Sequence, residues 1–320
     1  MGGIAQNIVG LLDAPVDAAI ATSLDGPVES LSMLRRSLLF AELANLSYLS
    51  RAEAGQRAYR MGFPEIRFYD RDGAQAYIFA NHDDAVITCR GTEPRDWNDV
   101  RADLDLGAVA AETAGRVHRG FKREVDDLWP RLEQALVTNR RTLWFAGHSL
   151  GGAMAAICAG RCMLSSIGSN PRALYTFGCP RIGTRRYVNY VQFEAYRWVN
   201  NNDIVARLPP PWLGYRHKGQ EIYINAYGKI RRLTAWQRVK DRWRGFVRGL
   251  REGRFDHFAD HSIGRYIEHI RNAVEEEAGI IALRDMPTAR PGHAPRPAQH
   301  GQFGGRHSRA ERPHVRRMAA

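Results

Sequence analysis

The sequence predicts an α/β fold with a mostly parallel central sheet, an antiparallel meander at its N-terminal side and helices on both faces. Three observations carry that prediction. Thr142 to Leu164 is an apolar run that stops at Gly-His-Ser-Leu-Gly and resumes as an Ala-rich helical pattern, which reads as strand, elbow and helix. Phe63 to Arg90 holds short apolar runs separated by Asp70-Arg71-Asp72-Gly73 and by Asn81-His82-Asp83-Asp84, the spacing of an antiparallel meander. After Phe121 helical and strand-like stretches alternate, as parallel strands joined by crossovers require.

At 320 residues, with 44% hydrophobic and 25% charged side chains, the chain has the length and composition of a soluble globular protein with one large domain. That domain is expected over 31–283, preceded by a flexible or amphipathic segment 1–30 and followed by a tail 284–320. The net charge of +12 is not spread evenly. Lys229 to Arg254 carries ten basic against two acidic residues, and Pro287 to Ala320 seven against one, so the remainder is slightly acidic. The tail, rich in Pro, Gly, Arg and His, has too little apolar material for a core and is expected to be disordered. With no recognition fold or aromatic platform beside it, it does not indicate specific nucleic-acid binding.

Cys89, Cys158, Cys162 and Cys179 fall in segments expected to be buried, without the spacing of a disulfide framework. Cys158 and Cys162 are four apart on one helix, but no further His or Cys has supporting spacing, so neither a metal nor another cofactor is expected. The N-terminus lacks a basic region before its apolar stretch, and Asp13, Pro15 and Asp17 interrupt Ile4 to Ile20. A cytoplasmic address is the expectation, with peripheral membrane contact as an extension of it.

In chain order, Ser32 to Leu49 places Leu39, Leu43 and Leu46 on a helical stripe that docks on the domain. The meander follows, and its last strand runs into Arg90-Gly91-Thr92-Glu93, a strand end suited to presenting a backbone donor. Pro94 to Gly107, with a single Trp97, is the candidate lid. Phe121 to Val137 is a helix through Val125, Leu128, Leu132 and Leu136. Beyond the elbow come a strand at Ala173 to Phe177, a helix from Arg185 to Ala195, a strand at Tyr196 to Val199 and another at Glu221 to Asn225.

A serine on a strained strand-to-helix turn projects its hydroxyl from the sheet edge beside the first N–H groups of the helix. Ser149 is therefore the candidate nucleophile, and Gly147, Gly151 and Gly152 are the small neighbours that a tight elbow needs. Asp203, just past a strand end, is placed to orient a histidine; an Asx turn is the structural alternative. Among the histidines that follow, His217 and His269 read as structural. His257 and His261 both precede a helix beginning near Ile263, and spacing favours neither.

With these residues assembled, the chain resembles the class 3 lipases, the fungal lipase-like branch of the α/β-hydrolase fold, from about Leu38 to Ile270. Five further motifs accompany Gly147-His148-Ser149-Leu150-Gly151-Gly152. They are Cys89-Arg90-Gly91-Thr92, Val117-His118-Arg119-Gly120-Phe121, Tyr175 to Gly183, Asn202-Asp203-Ile204-Val205, and Asp260-His261-Ser262 ahead of Tyr266. The resemblance implies Ser149 as nucleophile, His261 as general base and Asp203 as its orienting carboxylate. It also implies an oxyanion hole at the N–H groups of Thr92 and Leu150. The implied activity is hydrolysis of lipid esters through an acyl-enzyme, without a cofactor; small soluble esters or thioesters, or a non-catalytic interaction module, are the alternatives. Glu93, Arg95, Asp96, Asp99, Arg101, Asp103 and Asp105 leave the lid little apolar surface, so strong interfacial activation is not expected.

An insert at 229–255 separates Asp203 from His261. Within it Trp236, Val239, Trp243, Phe246, Val247 and Leu250 share one helical face, with Arg and Lys on most of the other. Two readings stand. The apolar face packs on the domain, or the helix lies on an anionic membrane with Trp236 and Trp243 in the headgroup region.

Overall fold

The computed structural model describes residues 23–91, 107–164, 167–251 and 259–285. Side chains at 235, 245–251, 259 and 281–285 lie outside that description, as do the whole of Thr92, Trp97 and His257.

The packed body begins before Ser32: Leu24 and Val28 are buried, and the Val28 N–H donates to Asp84 Oδ2 at 2.8 Å. Helix α1 (Met33–Leu46) starts at Ser32, whose hydroxyl oxygen accepts from the Arg35 N–H. Helix α2 (Arg51–Arg60) starts at a reciprocal capping box between Ser50 and Glu53. The sequence pattern does not single out α2 because only Ala54 and Ala58 form its buried face, too small a stripe to register as amphipathic.

Strands β1 (Glu65–Arg71), β2 (Ala74–Ala80) and β3 (Asp84–Cys89) form the expected antiparallel meander. Then come β4 (Ala108–Ala110), β5 (Arg116–His118) and helix α3 (Arg119–Val137). Strand β6 (Thr142–His148) leads through the elbow to helix α4 (Leu150–Cys162), followed by β7 (Pro171–Phe177) and β8 (Gly183–Thr184). Helix α5 is shorter than expected, Arg185–Tyr190, because Glu194 and Ala195 already pair with Ala173 and Leu174 as the start of β9 (Glu194–Asn200). The described chain continues with β10 (Tyr215–Arg216), β11 (Gln220–Ile224), helix α6 (Ala235–Arg251), a 3-10 turn at Ala259–His261 and helix α7 (Ile263–Asp285).

The main sheet runs β1-β2-β3-β6-β7-β9-β11, parallel from β3 onward. Alternate residues of β6 serve opposite cores, as the two-residue period of a strand dictates. Leu143 and Phe145 face α3 and α4 with Val125, Leu128, Leu132 and Ile157. Trp144 and Ala146 face α1 and α7 with Phe40, Leu43, Tyr266 and Ile270. Both faces of the parallel strands are thus covered, so backbone reactive positions are confined to the strand ends. A second, four-stranded antiparallel sheet, β10-β8-β5-β4, is absent from the sequence reading since its strands are only two or three residues long.

Candidate active site

The elbow sits where β6 meets α4 on the C-terminal edge of the parallel strands. Ser149 has φ 57° and ψ −133°, a conformation that L-residues rarely adopt. It is held there by its N–H donating to Phe177 O at 2.9 Å and its C=O accepting from Gly152 N at 3.0 Å. Strand and helix backbones pass so closely that a Cβ at Gly147 would lie 2.4 Å from Gly151 O, and one at Gly151 would lie 2.1 Å from Cys89 O. No side chain fits at either position, which explains the small residues around the serine in steric terms.

His261 closes the 3-10 turn before α7. Its Nε2 lies 2.8 Å from Ser149 Oγ, and its Nδ1 lies 2.9 Å and 3.0 Å from the two oxygens of Asp203. A carboxylate only accepts, so Nδ1 carries the ring proton and Nε2 presents its lone pair to the serine hydroxyl. Asp203 follows β9 and is locked by backbone and side chain together. Its Oδ1 accepts from Val205 N at 2.9 Å and Ala206 N at 3.3 Å, the Asx-turn pattern, while Oδ2 accepts from the Tyr266 hydroxyl at 2.6 Å. The two readings of Asp203, turn former and partner of a histidine, are therefore both present in one side chain. Ser149 and Asp203 are fully buried and His261 is 1% exposed, so the relay operates away from bulk water.

Several members of this constellation were not assigned roles from sequence. Tyr266 on α7 also accepts from Asn200 N at 2.9 Å, and burial together with the Asp203 carboxylate holds its phenol well above the usual tyrosine range. It remains a donor at any ordinary pH. His148 presents Nε2 to the His261 carbonyl at 2.6 Å, so that nitrogen bears the proton, and Nδ1 accepts from the Tyr48 hydroxyl at 2.8 Å. Burial, reinforced by His261, pushes the His148 pKa down to about 3. His148 is thus a neutral strut under the backbone of His261. Gly178, at φ +61°, gives passage on the other side, since a Cβ there would come within 2.6 Å of Asp203 Oδ2 and 2.8 Å of His261 Nδ1. A motif signal was available for each: His148 lies beside Ser149, Gly178 in Phe177-Gly178-Cys179-Pro180, and Tyr266 after His261.

The remaining candidates separate cleanly. Leu150 is the first residue of α4, where backbone N–H groups have no partner four residues back, so it stands beside Ser149 as the donor position requires. Thr92 and the lid candidate Trp97 lie outside the described residues, though Gly91 marks the approach: a Cβ there would be 3.2 Å from Ser149 Cβ. His257 also lies outside them. His217, between β10 and β11, is half-buried, its pKa depressed by desolvation and then by neighbouring Arg197, and His269 on α7 abuts Gly228. All four cysteines are buried and none is in a disulfide, with burial pushing the Cys179 thiol up to about 12. Among the described residues no cluster of three or more His, Cys, Asp or Glu side chains could hold a metal.

Comparison with known proteins agrees with this geometry. Residues 86–212 match the family model of lipase (class 3), a span that contains Ser149 and Asp203 but stops short of His261. Toxin TseL of Vibrio cholerae is 30% identical over 191 residues, covering 46% of this chain and 30% of the toxin. Secreted mono- and diacylglycerol lipase 1 of Fusarium solani is 31% identical over 170 residues, covering 48% of this chain and 49% of the relative. The chain therefore spans about half or less of the length of these curated relatives. The crystal structure of Rhizomucor miehei triacylglyceride lipase superposes with a TM-score of 0.53 at 25% identity, covering 59% of this chain and 78% of that one. Fold, elbow and ordered motifs converge: the chain has the α/β-hydrolase fold, and over 86–212 it is similar to the class 3 lipases.

Proposed function

We propose that the chain is a serine carboxylic-ester hydrolase acting on lipid esters of the acylglycerol type. The observation that carries this reading is the relay Ser149 Oγ, His261 Nε2, His261 Nδ1, Asp203, with 2.8 Å and 2.9 Å between successive partners. In it His261 removes the Ser149 proton as Oγ attacks the ester carbonyl, and Asp203 stabilises the imidazolium that forms. The negative charge on the carbonyl oxygen is received by backbone donors at Leu150 and Thr92, each worth about 10²–10³ in rate. His261 then protonates the leaving alcohol, and water activated by the same histidine releases the acid from the acyl-enzyme. The substrate class is supported by the names of the relatives, which include mono- and diacylglycerol and triacylglyceride lipases. Because Ser149 has no exposed surface, a substrate reaches it only after residues above it move aside. A cytoplasmic address is part of the proposal and is supported by four buried cysteines of which none is in a disulfide; the Fusarium relative is named as secreted, and cell fractionation separates the two.

The test is fluorophosphonate labelling followed by intact-mass detection on wild type, Ser149→Ala and His261→Ala. One adduct on wild type alone is expected. An unlabelled but folded wild type, tested with detergent present to open the site, would overturn the reading in favour of a non-catalytic module. Hydrolysis of acylglycerol emulsions against dissolved p-nitrophenyl butyrate then fixes the substrate class.

A further inference from the structure

Helix α6 is amphipathic in the reverse sense to a docked helix. Thr234 and Gln237 cap its start reciprocally, with Thr234 N donating to Gln237 Oε1 at 2.8 Å and Gln237 N to Thr234 Oγ1 at 3.3 Å. The side turned to the protein is polar. Asp241 is 5% exposed, and its Oδ2 accepts from the Tyr223 hydroxyl and from Ala226 N, both at 3.0 Å. Arg238 pairs with Glu221 and lies over the Tyr223 ring, and Asn202 Nδ2 donates to Arg242 O at 3.2 Å. The side turned to solvent is apolar: Trp236 is 66%, Val239 53% and Trp243 66% exposed. Positions 236, 239 and 243 follow one stripe of a 3.6-residue helix, opposite Asp241 and Arg238.

The charge around this stripe identifies its occupant. Lys240 and Arg244 are exposed beside it, and Lys240 Nζ sits 5.5 Å from the Trp236 ring centroid, in cation–π range. Arg231 and Arg232 are exposed just before the helix. Lys229 is paired with Glu276, and between Ile230 and Arg244 the single carboxylate, Asp241, is buried, so the exposed charges there are the cations Arg231, Arg232, Lys240 and Arg244. The Pro211–Leu213 turn, with Trp212 82% exposed, accepts through Pro211 O from Arg216 at 2.8 Å. Indole rings next to Lys and Arg, on a helix lying flat against the protein, match the headgroup layer of a bilayer that contains acidic lipids. A protein partner would have to bring acidic side chains and a complementary apolar groove; an acidic bilayer supplies both everywhere on its surface.

We infer that α6 is an in-plane docking helix for anionic lipid surfaces, inserting Trp236, Val239 and Trp243 between headgroups that Lys240 and Arg244 attract. This rests on the proposed lipid-ester activity only for its purpose, not for the binding itself. Asn202, which holds the α6 backbone, adjoins Asp203, and residues 252–258 link α6 to the turn bearing His261. Adsorption through α6 thus brings the acid–base end of the relay to the lipid surface, where ester substrates are.

The experiment is flotation of the full chain with vesicles of phosphatidylcholine and with equimolar phosphatidylcholine and phosphatidylglycerol. Wild type is expected to float with the anionic vesicles and to be released by high salt. Trp236→Ala/Val239→Ala is expected to weaken binding about tenfold through lost apolar insertion. Lys240→Gln/Arg244→Gln is expected to weaken it about fivefold for each charge removed. Both variants should keep their melting temperature and their rate on dissolved p-nitrophenyl butyrate, and Ser149→Ala should float like wild type. Failure of the hydrolase reading would thus show in the soluble assay and leave flotation untouched. Equal flotation with neutral and anionic vesicles, no flotation, unaltered flotation of the two double variants, or a dimer in solution that Trp236→Ala dissociates would each overturn the inference.

Discussion

Helices α4 and α6 are both legible as helices in the sequence, α4 as an Ala-rich run and α6 as an amphipathic stripe, yet they bury opposite chemistry. Every residue of α4 from Gly151 to Cys162 is buried, sealed between β6, β7 and α3, and the polar group at its start is the reactive Ser149. Among the described side chains of α6 the buried one is a carboxylate, and the indoles face water. A period of 3.6 residues therefore specifies a helix but not which face meets the protein. That choice depends on whether the surface beneath offers apolar area, as the parallel sheet does, or hydrogen-bond donors, as Tyr223 and Ala226 do for Asp241.

The most severe test of the elbow side is Asp203→Asn. An amide can donate to His261 Nδ1, which favours the tautomer with the proton on Nε2 and removes the lone pair facing Ser149. The expected loss is about 10⁴ in kcat/KM on dissolved p-nitrophenyl butyrate, with vesicle flotation unchanged. A loss below tenfold would mean that the buried relay is scaffolding rather than chemistry.

Next in size is a deletion from the core on the sheet face opposite α4. Phe40 on α1 is fully buried, 5.5 Å from the Trp144 ring and 4.5 Å from the Tyr175 ring. Phe40→Ala should cost about 3–5 kcal/mol in urea unfolding, since it leaves a cavity among aromatic neighbours fixed by the strands.

The pH dependence of the elbow comes third. The folded pKa of His148 is about 3 against an ordinary 6.5, so between those values the unfolded chain binds a proton that the folded chain excludes. The stabilisation is fully present above 6.5 and is lost as pH falls toward 3, at up to about 1.4 kcal/mol per pH unit. His148→Gln keeps a donor for the His261 carbonyl and cannot titrate. The difference in urea midpoint between wild type and this variant should therefore shift in the variant's favour as the pH is lowered through that window. A pH-independent difference would show that His148 is protonated in the fold.

How much of this was legible in advance follows the same division. The meander, the elbow and the parallel strands were readable since their apolar runs have strand length and end at Gly, Asp and Asn turns. Ser149 announced itself by the crowding that forbids side chains at Gly147 and Gly151. The choice of His261 over His257 was not in the spacing; it came with the family motif, and the geometry then set His261 against Ser149. Tyr266 and His148 were visible as residues but not as partners, because a hydrogen bond between helix α7 and a loop after β9 has no local periodicity. The small sheet left no trace in strands of two or three residues, and the orientation of α6 was undecidable without knowing that Asp241 meets two donors.

On the α6 side the polar anchor should matter more for stability than the aromatic. Asp241→Ala leaves Ala226 N without its side-chain acceptor and removes one partner of the Tyr223 hydroxyl, whose other contact is Asn201 Oδ1 at 3.3 Å. The expected cost is about 1–3 kcal/mol in global or sub-global unfolding, read by urea titration and by hydrogen exchange over 235–251.

The smallest expected effect is the most informative one. A Trp→Ala change in a packed core costs about 3–5 kcal/mol, but a residue two-thirds exposed, as Trp236 is at 66%, has given up little of its apolar surface on folding. Trp236→Ala should therefore move stability by no more than about 0.5 kcal/mol, in the range of ordinary surface substitutions, and the helix gains slightly because alanine has the higher intrinsic propensity. The pair Asp241→Ala and Trp236→Ala would then rank in the order opposite to that of polar and aromatic deletions in an ordinary amphipathic helix. A loss of 2 kcal/mol or more on removing the indole, on the scale of a buried side chain, would instead place Trp236 against the protein in solution. In that case the sequence pattern of α6 would have reported its docked face after all, and the stripe would not be free to meet lipid.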